Sequence, residues 1–190
     1  MLTITQKFML LGMKQNKYFG TNSHIRLALV TAGLMDLDIN KIIEIKDNKV
    51  SVIKELPSDL DYLITLYQFI AKKDSIKLTH ISQAFTFKNK DFKQLKKDVE
   101  NSLTDKWSLK ESVIEEMRDE FLSDSIRDET IILAVLLHKT RQLKMYFSKH
   151  EVSSIKDTIK QLKKENSNKI LTQMINNIDA LNVVIVSSVM

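Results

Sequence analysis

Glu116 and Glu120 stand one helical turn apart, as do Glu115 and Asp119. Carboxylates at that spacing share a helix face, where a pair could hold a divalent cation or serve as general acid and base. Neither pair comes with a histidine or a basic orienting residue on its face, so both read as a solvated acidic surface. Asp124, Asp128 and Glu129 suit a helix N-terminus, where acids cap the chain and complement its dipole. The four histidines, His24, His80, His138 and His150, have no partners at a metal-ligand spacing such as HExxH. His138, following IILAVLL, reads as a helix residue at the core edge, and His24 as a solvent-facing residue near a helix start. The three glycines are scattered, so no glycine-rich loop can cradle a phosphate. Cysteine is absent, which excludes disulfides, thiolate chemistry and Cys-ligated zinc or iron–sulfur sites. No nucleophile stands beside a base. The expectation is a non-enzymatic chain with no cofactor and no structural metal.

The positive chemistry lies in the lysines. The net charge of +5 conceals a segregation. Lys72–Lys97 holds eight lysines against Asp74 and Asp91. Asp98–Thr130 holds eleven acids against four bases, and Lys139–Glu165 holds eight bases against three acids. Two basic blocks around an acidic one suit an anionic partner; the plainer alternative is solvated helix faces that pair with one another. Within the first block Phe92, Leu95, Val99 and Leu103 recur at spacings of three and four, leaving Lys93, Lys96 and Lys97 to face elsewhere.

The elements that position these residues are organised around Ile25–Ile53. Ile25, Leu29, Ala32 and Gly33 recur at helical spacing, as do Leu27, Val30, Leu34 and Leu37, which gives a helix apolar around most of its circumference and so buried on several sides. At Asp36–Asn40 the period changes from 3.6 to 2. Ile43, Ile45, Val50 and Val52 then alternate with polar residues across Asp47-Asn48, a pair that tolerates the positive φ of a tight hairpin turn. Thr3 and Gln6 form a capping box for a first helix running to about Met13, before a polar loop at Lys14–Ser23. Pro57-Ser58-Asp59 starts another helix, and Asp74-Ser75 caps one led by Ile76, Leu78 and Ile81. Trp107–Leu109 reads as a joint before an acidic helix to Leu122, with Trp107 either packed in the core or set as an interfacial anchor. Ser123-Asp124 caps a helix continuing from Ile131 to Phe147, and Ser153 or Ser154 opens a basic helix to about Lys164.

The fold class expected is mainly α: one domain over residues 1–190 with a central buried helix and a short β-hairpin at Lys41–Lys54. The longest apolar run, Ile131–Leu137, has seven residues against the roughly 20 that a membrane span needs. The N-terminus lacks the basic and apolar regions of a signal peptide, and a cytoplasmic location is expected.

Leu2-Thr3-Ile4-Thr5 with Met9–Gly12, then Ala28–Leu37 and Ile42–Ile45, resembles the opening of the Golgi phosphoprotein 3 family. Asp128–Leu137 followed by Phe147 is similar to that family's late Asp-Arg segment and Leu-rich helix. The resemblance spans nearly the whole chain and is carried by hydrophobic patterns. It implies a peripheral membrane adaptor that holds a phosphoinositide head group in a shallow basic pocket, and a buried helix for the C-terminal Leu181–Met190, which propensity alone would make a strand. The family's paired arginines fall on Lys93 and Lys96, which keep the charge but not the bidentate fork. Its central-helix arginine falls on Val30, with Arg26 one turn earlier on the same face, and its aromatic falls near Thr21, where Tyr18 or Phe19 could substitute. The family's long self-association hairpin has no counterpart beyond Trp107–Glu111. The candidate lipid- or anion-binding set is therefore Lys93, Lys96, Arg26, Lys97 and Phe19, with phosphoinositide-like anionic lipid as partner and a client protein beside it. The alternative is a soluble protein- or nucleic-acid-binding module that uses the same basic helices. Nucleic-acid binding would want basic residues interleaved with aromatics, and Tyr146 and Phe147 beside Lys144 and Lys149 come nearest to that.

Overall fold

A computed structural model describes residues 1–12, 23–87, 89–103, 106–123 and 125–165, together with 172, 176, 178 and 179. Among them the chain is mainly helical, with α1 (Ile4–Gly12), α2 (Ser23–Ile39), α3 (Ile64–Ile70), α4 (Leu78–Phe87), α5 (Asn89–Asn101), α6 (Lys106–Leu122), α7 (Asp128–Lys139) and α8 (Lys149–Glu165). Three short strands, β1 (Ile43–Lys46), β2 (Lys49–Val52) and β3 (Ile76–Lys77), form a small antiparallel sheet.

The central helix is α2. Every residue from Leu27 to Leu37 is buried, because α1, α4, α7 and β1 pack around it. Each large apolar side chain so enclosed contributes about 1.5–3 kcal/mol relative to exposure. Gly33 packs against two further leucines: a Cβ there would come within 2.9 Å of Leu66 Cδ2 and 3.2 Å of Leu63 Cδ2, so a larger residue would push those side-chain ends aside. The hairpin forms where the period changes. Ile43 pairs with Val52 and Ile45 with Val50, and Asp47 and Asn48 take φ of 49° and 58° as the tight turn demands.

Several boundaries differ from the sequence reading. Ile76 and Lys77 are not the start of a helix; Val50 and Lys49 pair with them as the third strand. Two residues are too few to show a period of 2, so that strand leaves no pattern of its own. Trp107–Leu109 is no joint but lies within the first turn of α6, whose buried stripe is Val113 and Met117. The α7 helix starts at Asp128 after an extended Arg127, not at Ser123-Asp124, and its first turn carries Asp128 and Glu129 as the dipole favours. It stops at Lys139 instead of running to Phe147. Arg141 N–H donates to the His138 carbonyl and Gln142 N–H to the Leu137 carbonyl at 2.8 Å, while Arg141 sits at φ 61°. This is a Schellman ending with arginine where glycine is usual. Finally, α8 is opened by Ser148 and not by Ser153 or Ser154: Ser148 N–H donates to Glu151 Oε2 at 2.6 Å and Glu151 N–H to Ser148 Oγ at 3.3 Å. That reciprocal capping box, with Arg118 Nε donating to Glu151 at 2.9 Å, holds the Glu151 carboxyl down to about 2. The Thr3–Gln6 box of α1 forms as expected. The loop at 14–22 and the tail at 181–190 lie outside the described residues.

Candidate anion-binding face

The amphipathic α5 buries Phe92, Leu95 and Val99 and turns its other side outward. Lys93 and Lys97, one turn apart, are exposed; Lys96 is half-buried and meets Glu100 at 3.6 Å. Sequence alone left open whether these lysines pair with the acidic block. Asp98, next to Lys97 in sequence, is held by neutral donors instead, Thr65 Oγ1 at 2.6 Å and Gln94 Nε2 at 2.7 Å. Among the described residues neither Lys93 nor Lys97 forms an ion pair.

Arg26 is brought to the same helix. Its guanidinium lies 5.0 Å from the centre of the Phe92 ring, and Nη1 donates to the Thr86 carbonyl at 3.3 Å. It thus rests against the turn that carries Lys93, tying α2 and α4 to α5. Val30 is fully buried. Thr21, Tyr18 and Phe19 lie outside the described residues, as does the Trp107 side chain.

The carboxylate pairs divide. Glu115 and Asp119 are exposed, as a solvated face requires. Glu116 and Glu120 are half-buried rather than freely solvated, and the expectation that they lack basic partners is corrected. Lys7 Nζ reaches Glu116 at 2.8 Å, and Arg127 bonds both carboxylates, with Nε 2.7 Å from Glu120 Oε1. These cations come from α1 and from the start of α7, more than 100 and about ten residues away in sequence, where no local pattern reveals them. Burial raises both carboxyls, but hydrogen bonds from Lys7 and Arg127 to Glu116, and chiefly from Arg127 to Glu120, outweigh it and hold them below the ordinary range.

A second basic concavity lies between the end of α7 and α8. His138, Arg141, Leu143, Lys144, Val152 and Lys156 line a cavity of about 200 Å³. The sequence signal for it was the charge of Lys139–Glu165, but the turn at Arg141 is what gathers these side chains. Among the described residues no group of three histidine, aspartate or glutamate side chains is placed to hold a metal, and no helix is long and apolar enough to cross a membrane. No family model, curated protein or solved structure matches the chain.

Proposed function

We propose that the protein is a non-enzymatic, peripheral binding protein that docks on anionic lipid surfaces through the outer face of α5. The observation that carries this reading is the exposure of Lys93 and Lys97 without an acidic partner among the described residues, beside an Arg26 already stacked against the same helix. The resemblance to the Golgi phosphoprotein 3 family implies the same class of function and supplies the phosphoinositide-like head group and the adaptor role. Nucleic-acid binding is less favoured. Phe147 is buried, and Tyr146, whose hydroxyl donates to the Leu11 carbonyl, is covered by Lys110 at 5.0 Å from its ring centre. Phe147 is thus closed to a base, and one face of the half-buried Tyr146 ring is already taken by an ammonium.

Each lysine near an anionic membrane is worth about 1 kcal/mol. Lys96 contributes less than that, because Glu100 already faces it. Lys93 and Lys97 together give about 2 kcal/mol, roughly a thirtyfold change in partition. In vesicle flotation the Lys93→Glu/Lys97→Glu variant is expected to lose at least that factor on anionic vesicles, and Lys96→Glu distinctly less. A folded double variant that floats as well as the parent at low salt would refute the face.

A further inference from the structure

From the cavity between α7 and α8 we infer a second site, one that takes a phosphomonoester group through Arg141, Lys144, Lys156 and His138. Four of its six lining residues are basic, no acid lines it, and Leu143 and Val152 supply apolar walls. Among the described residues none of Arg141, Lys144 and Lys156 is in an ion pair. Asp179, which pairs with Lys139 of the same helix end, is occupied by Lys139 and Lys163, each 2.5 Å from one of its oxygens, and so neutralises other lysines.

Chemistry selects the ligand class. Three permanent cations converge on one concavity. A carboxylate brings a single charge and leaves two of them unmatched, whereas a phosphomonoester carries about −1.5 to −2 at neutral pH and several strong acceptor oxygens. A guanidinium fork and two point-charge ammoniums suit such a group. The volume of about 200 Å³ is below that of a drug-sized ligand site, which fits a phosphate with a small part of its carrier.

The backbone offers a test that separates binding from folding. Arg141 adopts φ 61° at the position where the helix ending prefers glycine. Arg141→Gly therefore removes the guanidinium while relieving the left-handed conformation, so the variant should melt no lower than the parent. His138 provides a second readout. Burial first, then the charges of Lys156, Lys139 and Lys163, lowers its value. Around it stand Lys139 on its own helix, Arg141 and Lys144 in the turn, and Lys156 and Lys163 on α8, with Asp179 offsetting two of these. A bound anion favours the imidazolium, so binding should tighten as pH falls across the histidine range of about 5 to 8. Sulfate, whose charge is constant there, isolates this effect, and His138→Gln should flatten it.

The experiment is an equilibrium titration of the full chain with inorganic phosphate and with sulfate. Alongside it runs flotation on vesicles containing phosphatidic acid or, at equal surface charge, phosphatidylserine. The parent is expected to bind phosphate, and Arg141→Gly and Lys156→Glu each to weaken it at least tenfold, with Lys93→Glu/Lys97→Glu leaving it unchanged. Phosphate binding with no preference between the two vesicles assigns a soluble phosphorylated ligand; a preference for phosphatidic acid that Arg141→Gly abolishes assigns a lipid head group. The inference fails if the parent shows neither, or if both variants bind as the parent does.

Discussion

Asp36→Ala is expected to destabilise the protein by about 3 kcal/mol, since it leaves two buried backbone donors without an acceptor at about 1–3 kcal/mol each. Asp36 is 3% exposed. Its Oδ1 accepts Ile4 N–H at 3.0 Å and its Oδ2 accepts Thr5 N–H at 2.9 Å. Those amides belong to the first turn of α1, where no intrahelical acceptor exists, and a carboxylate there also meets the positive end of the helix dipole. The acid comes from the last turns of α2, so one side chain fixes two core helices together. Burial raises the Asp36 carboxyl above its ordinary 3.8, more than hydrogen bonds from Thr5, Thr3 and Ile4 lower it. An acid raised in the fold binds more protons native than unfolded, so its contribution declines as pH rises from the ordinary value through the raised one. Urea denaturation across that range should therefore show the gap between parent and Asp36→Ala widest at the acid end. Asp36→Asn, which keeps one acceptor, should lose less. An alanine variant within about 0.5 kcal/mol of the parent, the range of an ordinary surface change, would contradict this account of Asp36.

The second large effect is expected at Glu116. Breaking a buried ion pair by deleting one partner costs about 3–5 kcal/mol. Lys7 is nearly enclosed, at 7% side-chain exposure, but Glu116 is 31% exposed, so solvent screening reduces the expected loss for Glu116→Ala to about 2 kcal/mol. The loss comes from an ammonium left without its carboxylate. Lys7→Met in the Glu116→Ala background removes that ammonium and should restore about half of it, a coupling that a double-mutant cycle reads directly. Because both carboxyls of the network lie below their ordinary values, the stability they add is present above the ordinary carboxylate range and lost as pH falls through the depressed values. Strictly additive losses for the two substitutions would show that Lys7 and Glu116 are not coupled.

These two residues also mark where sequence reading succeeds and where it stops. The burial of α2, the hairpin and the Thr3–Gln6 cap were legible because each is a local pattern: an apolar circumference, a change of period, a fixed spacing. Asp36 was legible only as the end of an apolar run; that its carboxylate caps α1 depends on a contact between residues about thirty apart in sequence. Glu116 and Glu120 were placed correctly on one helix face but read as solvated, since Lys7 and Arg127 approach from other elements. The end of α7 was missed for a different reason. Arginine at a left-handed helix ending carries no signal in a chain with three glycines, where the usual stop residue is scarce. The cavity that depends on that turn was illegible for the same reason. Of the candidate anion-binding set, Lys93, Lys96 and Lys97 follow from the α5 period, whereas the approach of Arg26 to Phe92 needed the fold.

The central proposal is an electrostatic docking face, and salt dependence tests it most directly. Flotation of the parent chain should be compared on neutral and anionic vesicles as ionic strength rises from about 0.1 to 1 M, over which the screening length falls from about 10 to 3 Å. The account predicts partition onto the anionic vesicles alone, lost progressively with salt, and no shift of single- or double-stranded nucleic acid under the same low-salt conditions. Equal partition onto neutral vesicles, or none onto anionic vesicles at the lowest salt, would contradict it.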